Sequence, residues 1–263
     1  MEHIKLLHCC ITIYLVIQLG LNCFFSASVK VGIINGTEAE PHSRPYMVSI
    51  QLQEQHVCGG FLITDSFVMT AAHCEEHFKE NWDKVTAVIG AHNLKDNDFE
   101  RIAVDQHYIH EHFTVTKDKV INDIMLMKLK KSTENSKNAQ SIHIQEKKKA
   151  RKRNDKCSVA GWGCITTNGN PSDVLMEAHV KIIPPETCKE QWSFYNDSIM
   201  LCAGGLHHGF CQGDSGGPLV CNNFAVGIVS FQNKDCDHPQ QPNGYTRITG
   251  FLPWIKKTIH GTK

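Results

Sequence analysis

Three short segments of the chain carry side chains that could perform nucleophilic chemistry together. They are TAAHC around His73, NDIMLMKL around Asp123 and CQGDSGGPL around Ser215. A serine hydroxyl attacks poorly unless a neighbouring base takes its proton. The glycines at 213, 216 and 217 let the backbone turn sharply and bring a substrate close to main-chain N–H groups. Such N–H groups can hold a developing oxyanion. Taken alone, the segment also reads as an ordinary glycine-rich turn. His73 is one of 16 histidines, but it follows the apolar run from Phe67 and precedes Cys74, which places it at the fixed end of a buried strand. Asp123 precedes the apolar run Ile124 to Leu129. A carboxylate at the mouth of a buried strand is costly without a partner, and an imidazole N–H is a suitable one.

Residues 213–217 also fit the nucleophile elbow of α/β-hydrolases. In that fold the acid and the histidine follow the serine. Only 48 residues (216–263) follow Ser215, and His73 lies far upstream. The order His73, Asp123, Ser215 therefore favours a different scaffold.

The elements that must position these residues read mainly as strands. Strand-like runs occur at 46–53, 60–63, 67–70, 85–89, 124–129, 157–160, 218–220 and 224–231. They are short, rich in β-branched residues and separated by Gly, Asn, Asp and Pro. That texture predicts a barrel or sandwich. The polar, highly charged stretch 131–156 reads as a linker between two halves. In the tail 250–260, Phe251, Ile255 and Ile259 recur every four residues with Lys256, Lys257 and His260 between them, which predicts an amphipathic helix.

The chain has 263 residues, of which 41% are apolar and 21% charged, enough for a real core without metal support. Its formal net charge is zero, so bulk charge points to no nucleic acid. Lys5, the apolar run 11–25 and the small residues Ser26, Ala27 and Ser28 read as a signal peptide spanning 1–28. After its removal no membrane association is expected. Three of the 12 cysteines lie in that segment, leaving nine, which in an oxidising compartment means four bridges and one leftover. Spacing alone leaves 105 connectivities for eight cysteines. No CxxC pair or zinc-type spacing appears, so no metal or cofactor is expected.

The three segments, with Ile33-Ile34-Asn35-Gly36, AGWG at 160–163 and the late PWI at 253–255, occur in one order that closely resembles chymotrypsin-like serine proteases. The resemblance covers nearly all the chain from Ile33 onward. The segment EPHSRPYM at 40–47 is similar to granzymes and mast-cell proteases. The family fold implied is all-β, two packed six-stranded antiparallel β-barrels with a C-terminal α-helix. Its implied layout is a signal at 1–28, a propeptide at 29–32, a first barrel at 33–140, a basic linker at 141–155, a second barrel at 156–248 and a tail helix at 249–263.

The same resemblance implies residue roles. His73 is the general base, Asp123 its partner and Ser215 the nucleophile, with the N–H groups of Gly213 and Ser215 as the oxyanion hole. Ser230 supports the aspartate and begins the substrate-pairing strand. Cleavage before Ile33 frees an ammonium that pairs with Asp214. The bridges implied are Cys58–Cys74, Cys157–Cys221, Cys188–Cys202 and Cys211–Cys236, leaving Cys164 over.

Some positions depart from the family pattern. Gly209 stands where members that cut after Lys or Arg carry an aspartate, so trypsin-like specificity is not expected. Phe210 and Gln232 are larger than usual at the pocket, and Asn243 lies on its far wall, which predicts a narrowed pocket preferring small or medium uncharged side chains. Gly32 precedes the activation cut, and four residues from Val29 allow removal as two dipeptides, as in granule-stored relatives. Ala91 stands where digestive relatives have a calcium-binding glutamate. Lys147, Lys148, Lys149, Arg151, Lys152 and Arg153 form a run that is either a solvated linker or a heparin-like glycosaminoglycan site. Asn35 and Asn196 head glycosylation sequons. The expected function is a secreted or granule-stored serine endopeptidase acting on protein or peptide substrates. The competing reading is a weak or dead homologue that serves as a heparin-binding immune protein.

Overall fold

The computed structural model describes residues 33–34, 36–147, 156–204, 209–233, 235–237 and 240–261. Its strands, in chain order, are β1 (Thr37–Glu38), β2 (Met47–Leu52), β3 (Gln55–Thr64), β4 (Phe67–Thr70), β5 (Val85–Ile89), β6 (Glu100–Ile109), β7 (Thr114–Val115) and β8 (Val120–Ile121). They continue with β9 (Met125–Leu129), β10 (Cys157–Gly161), β11 (Met176–Ile182), β12 (Met200–Gly204), β13 (Pro218–Cys221), β14 (Phe224–Phe231) and β15 (Asn243–Arg247). Helix α1 spans Pro185–Gln191 and α2 spans Leu252–Gly261.

Strands β2, β3, β4, β9, β6 and β5 close into the first barrel, every neighbour antiparallel. The second barrel runs β11-β10-β13-β14-β15-β12 and closes through a β11–β12 pairing. The two-residue β1 adds to its β11 edge. Closure removes the open edges that would otherwise invite pairing with another chain. This is the fold that the resemblance implied.

The apolar runs become the barrel cores. All four residues of β4 are buried, as are Leu126 and Met127 of β9. Strand β11 alternates buried Met176, Ala178 and Val180 with more exposed Glu177, His179 and Lys181, the period of a one-sided strand. Helix α1 starts with Pro185 in its first turn, where the missing N–H costs nothing, and its buried Cys188 is bridged to Cys202 on β12. Helix α2 buries Ile255 beside Phe251 in the same cluster as Val68, Leu126 and Ile228. No helix among the described residues is long and apolar enough to cross a membrane.

Two features tie the barrels together near the future site. Gly59 N–H donates to the Ser215 carbonyl at 2.8 Å, and Thr246 Oγ1 donates to the Asp123 carbonyl at 2.7 Å. Each joins a residue of one barrel to a residue of the other.

Candidate active site

Strand β4 ends at Thr70, and the chain passes through Ala71 into a short 3-10 helix, Ala72–His77, that carries His73. Cys74 on that helix is bridged to Cys58 on β3, which fixes where the imidazole leaves the backbone. Asp123 sits just before β9, in a bend where Asn122 adopts φ 55°. The carboxylate is 1% exposed, so each oxygen needs a partner. Oδ1 accepts the His73 backbone N–H at 2.9 Å. Oδ2 accepts His73 Nδ1–H at 2.7 Å and the Ser230 hydroxyl at 2.5 Å.

This geometry settles the imidazole tautomer. An ionised carboxylate only accepts, so Nδ1 carries the proton and Nε2 presents a lone pair. Burial alone pushes the Asp123 carboxyl up. The charge of His73 and the hydrogen bonds from His73 and Ser230 outweigh burial and hold the carboxyl below its usual range. Burial lowers His73, but the charge and hydrogen bond of Asp123, with the charge of Glu76, leave it above the ordinary imidazole value.

Ser215 lies in a tight turn between the two barrels. Gly213 has φ 94° and Gly216 has φ 84°. A Cβ at Gly216 would fall 2.0 Å from Thr70 Oγ1 and 2.5 Å from the Gly59 carbonyl, so only glycine fits. Among the described residues, the N–H groups of Gly213 and Ser215 have no acceptor, whereas those of Asp214, Gly216 and Gly217 do. Two unengaged neighbouring donors are what an oxyanion site requires. Among the described residues no hydrogen bond joins Ser215 Oγ to His73. Such contacts are often long before substrate binds.

His56 was not singled out by its sequence context. It lies on β3, and its Nε2–H donates to the Gly213 carbonyl at 2.9 Å. Its Nδ1 then accepts from Ser49 Oγ at 2.8 Å. Burial pushes its pKa down to about 4 against the pull of the Gly213 bond. His56 thus orients the peptide that joins Gly213 to Asp214. Its position two residues before the bridged Cys58 was the sole available signal.

Asp214 is 1% exposed. Its Oδ1 accepts Gly163 N–H at 2.8 Å and its Oδ2 accepts Cys211 N–H at 2.9 Å. Burial, opposed by these two bonds, pushes its carboxyl up to about 7. Ile33 is fully buried in the second barrel's core, and Ile34 forms an antiparallel bridge with Gly209.

The residues that the resemblance assigns to a specificity pocket fall as follows. Gly209 faces Asn243, and a Cβ on it would lie 2.2 Å from Asn243 Nδ2. Phe210 is 3% exposed and packs edge-to-face on Tyr245, with ring centroids 5.3 Å apart. Gln232 follows β14 and directs Nε2 to Cys236 Sγ at 3.3 Å. Trp192, Phe194 and Phe231 form an aromatic cluster with centroids 5.0 to 5.7 Å apart. Trp192 and Phe194 lie in a polar stretch and were not picked out from the sequence. The four bridges are Cys58–Cys74, Cys157–Cys221, Cys188–Cys202 and Cys211–Cys236, with Cys164 a free thiol. The signal segment, the propeptide, Asn35 and most of the basic run, residues 148–153, lie outside the described residues.

Comparison with known proteins agrees with this geometry. The Trypsin family model matches residues 33–255. Granzyme B of Rattus norvegicus is 37% identical over 234 residues, covering 86% of this chain and 91% of that protein. Mast cell protease 8 of Mus musculus is 39% identical over 233 residues, covering 86% and 90%. The solved structure of neuropsin, a serine protease expressed in the limbic system of mouse brain, superposes with a TM-score of 0.78 at 33% identity, covering 86% of this chain and all of that one. The matched span contains both barrels, and the chain belongs to the trypsin family of serine endopeptidases, in the branch of granzymes and mast-cell proteases.

Proposed function

We propose that the chain is a secreted or granule-stored endopeptidase that cuts peptide bonds through an acyl-enzyme on Ser215. Cleavage before Ile33 activates it, and its specificity is not trypsin-like. The observation that carries this reading is the carboxylate–imidazole pair at 2.7 Å, with Nε2 left as the base, beside a serine turn that keeps two N–H groups unengaged. His73 takes the Ser215 proton as the hydroxyl attacks the carbonyl carbon. The N–H groups of Gly213 and Ser215 receive the oxyanion. His73 then returns the proton to the leaving amine, and water repeats the sequence on the acyl-enzyme. Gly209 supplies no negative charge at the pocket base, which supports exclusion of Lys and Arg.

The test is Ser215→Ala in the chain cut before Ile33. Turnover of a cleavable peptide should fall about 10⁶-fold with the fold unchanged. Hydrolysis at the parental rate refutes the assignment. The heparin-class proposal rests on six basic residues among positions 147–153 and is tested separately. Neutralising them should lower salt-sensitive retention on immobilised heparin, and unchanged retention marks the run as a linker. Asn196 is exposed in a turn where its Oδ1 accepts Ser198 N–H, which supports it as the glycan acceptor. A secreted sample whose mass is unchanged by deglycosylation refutes that.

A further inference from the structure

We propose that Arg101 on β6 is a positioning residue for peptide hydrolysis, acting on the serine turn through a chain of side chains that ends on the Gly213 carbonyl. This rests on the reading of Ser215 as nucleophile and adds to it what sets the oxyanion turn.

Strand register gathers these side chains on one face of the first barrel. Gln51 of β2 pairs with Thr86 of β5 and with His56 of β3. Ser49 of β2 pairs with Val88 of β5, and Val88 in turn with Arg101. Directly paired residues, and residues two apart on one strand, share a face. Val88 lies in one cluster with Trp162, which follows β10, so the face is turned toward the second barrel. Arg101 is exposed, yet its guanidinium is held by three contacts. Its Nη1 donates to Gln51 Oε1 at 2.7 Å and to Thr86 Oγ1 at 3.0 Å, and its Cζ lies 5.8 Å from the centroid of the Phe99 ring. Gln51 is 2% exposed and Ser49 is fully buried. Gln51 Nε2 donates to Ser49 Oγ at 3.1 Å, and Ser49 Oγ meets His56 Nδ1 at 2.8 Å. His56 Nε2–H completes the chain on the Gly213 carbonyl at 2.9 Å.

Each link runs in one direction. A guanidinium only donates, so Gln51 must turn Oε1 toward it and Nε2 away. Gln51 Nε2 then donates to Ser49, and the Ser49 proton goes to His56 Nδ1. The ring proton is left on Nε2, facing a carbonyl that can only accept. Polarity thus runs from a charged donor to one peptide oxygen, and hydrogen bonds aligned in this way strengthen one another. The Asp214 N–H of the same peptide donates to the Cys211 carbonyl at 3.1 Å, so the peptide is pinned at both ends. On its two flanks are the unengaged N–H groups of Gly213 and Ser215. Gly213, at φ 94°, has no side chain to hold its own direction. With an acceptor in place of the guanidinium, the Gln51 amide turns over and the Ser49 proton turns to Gln51. His56 Nδ1 must then carry a proton instead of accepting one.

The experiment compares the full chain, cut to free the Ile33 amino group, with Arg101→Lys, which still donates, and Arg101→Glu, which only accepts. NMR of the isotope-labelled His56 ring nitrogens at neutral pH reads where the proton sits, and hydrolysis of a cleavable peptide reads catalysis. Arg101→Glu should protonate Nδ1 and lower kcat about tenfold with KM little changed, a fraction of what losing one oxyanion donor costs. Arg101→Lys should match the parent in both readouts. Ser49→Ala cuts the chain, so in that background Arg101→Glu should lower kcat no further. In an enzyme that a fluorophosphonate labels at Ser215, an unprotonated Nδ1 or an unchanged kcat in Arg101→Glu overturns the inference alone. So does an Arg101→Lys enzyme as slow as Arg101→Glu, or a loss that persists in the Ser49→Ala background, which marks a plain effect of surface charge. If Ser49→Ala does not fold, the ring nitrogens and the Arg101→Lys rate carry the decision. A correctly cut parent that neither labels nor cleaves removes the nucleophile assignment, and this inference with it.

Discussion

Glu76 is exposed on the same 3-10 helix as His73, and its charge helps to raise the His73 pKa. That gives a residue-scale prediction. As the proposed base, His73 must be neutral to accept the Ser215 proton, so activity should fall as pH drops through the His73 pKa. Glu76→Gln removes one of the charges that favour imidazolium. The acid limb of kcat/KM should move to lower pH, and the movement should shrink at high salt because Glu76 is solvated. An acid limb that stays in place at low ionic strength contradicts the coupling. At this scale the sequence was informative where chemistry and local texture coincided. His73 ends a buried run beside a cysteine, Asp123 opens another, and Ser215 sits among glycines. His56 had no such context. Its role exists only because the fold brings the Gly213 carbonyl to within 2.9 Å of a ring 157 positions earlier in the chain. The pocket residues were legible as positions, but their orientations were not. The contact of Phe210 with Tyr245 and the turn of Gln232 toward Cys236 depend on packing across the second barrel.

Strand β3 shows how an element carries a residue's titration into stability. Its His56 sits between Ser49 and the Gly213 carbonyl, with its ring edge-on to Trp162 at 6.1 Å. With a folded pKa near 4, against about 6.5 when unfolded, the unfolded chain binds the proton first as pH falls. Stability from this group is therefore complete above pH 6.5 and is lost between there and about pH 4. The loss is on the order of 3 kcal/mol. In urea denaturation, the stability of the parent relative to His56→Gln should fall by that amount as pH drops across that window. Parallel curves would mean that His56 does not titrate in the folded state as its contacts imply. Element prediction itself divides along packing. Strands β4, β5 and β14 are mostly apolar and carry the bounds read from sequence. Strand β6 reads Glu-Arg-Ile-Ala-Val-Asp-Gln-His-Tyr-Ile, with Ile102 as its one buried residue, and is held by pairing to β5 and β9 on either side. Strand β15 contains Asn243 and Gly244, poor strand formers, yet all five of its residues are buried between β12 and β14. In both cases the ladder overrides local propensity. The alternation in β11 is present in the sequence as Met-Glu-Ala-His-Val-Lys-Ile.

At the scale of the whole molecule, two barrels were legible from ordered motifs, while the joining of their edges was not. The short β1, three residues after Ile34, pairs with β11, and Ile34 bridges Gly209, so the start of the described chain is stitched to the second barrel. That stitching bears on activation. In the uncut chain the Ile33 nitrogen is an amide and offers Asp214 no charge. Asp214 then has only the N–H groups of Gly163 and Cys211, and its carboxyl rises to about 7. A carboxyl raised in the folded state favours folding while it is protonated. Relative to Asp214→Asn, the uncut chain should therefore lose stability as pH rises from about 4 through about 7, by an amount on the order of 4 kcal/mol, a contribution opposite in sign to that of His56. In the proposed activation, a cut before Ile33 would bring an ammonium to the buried Asp214 carboxylate, and breaking such a pair is costly. The cut chain should lack that decline and should show activity that the uncut chain lacks. Asp214→Asn in the uncut chain should flatten the decline without conferring activity, because the amide cannot attract the new charge. Urea denaturation between pH 5 and 8 on the uncut, cut and Asp214→Asn chains measures all three slopes. If uncut parent and Asp214→Asn lose stability in parallel over this range, Asp214 is not the titrating group. If the cut chain also declines with them, the ammonium does not reach it, and activation must act elsewhere.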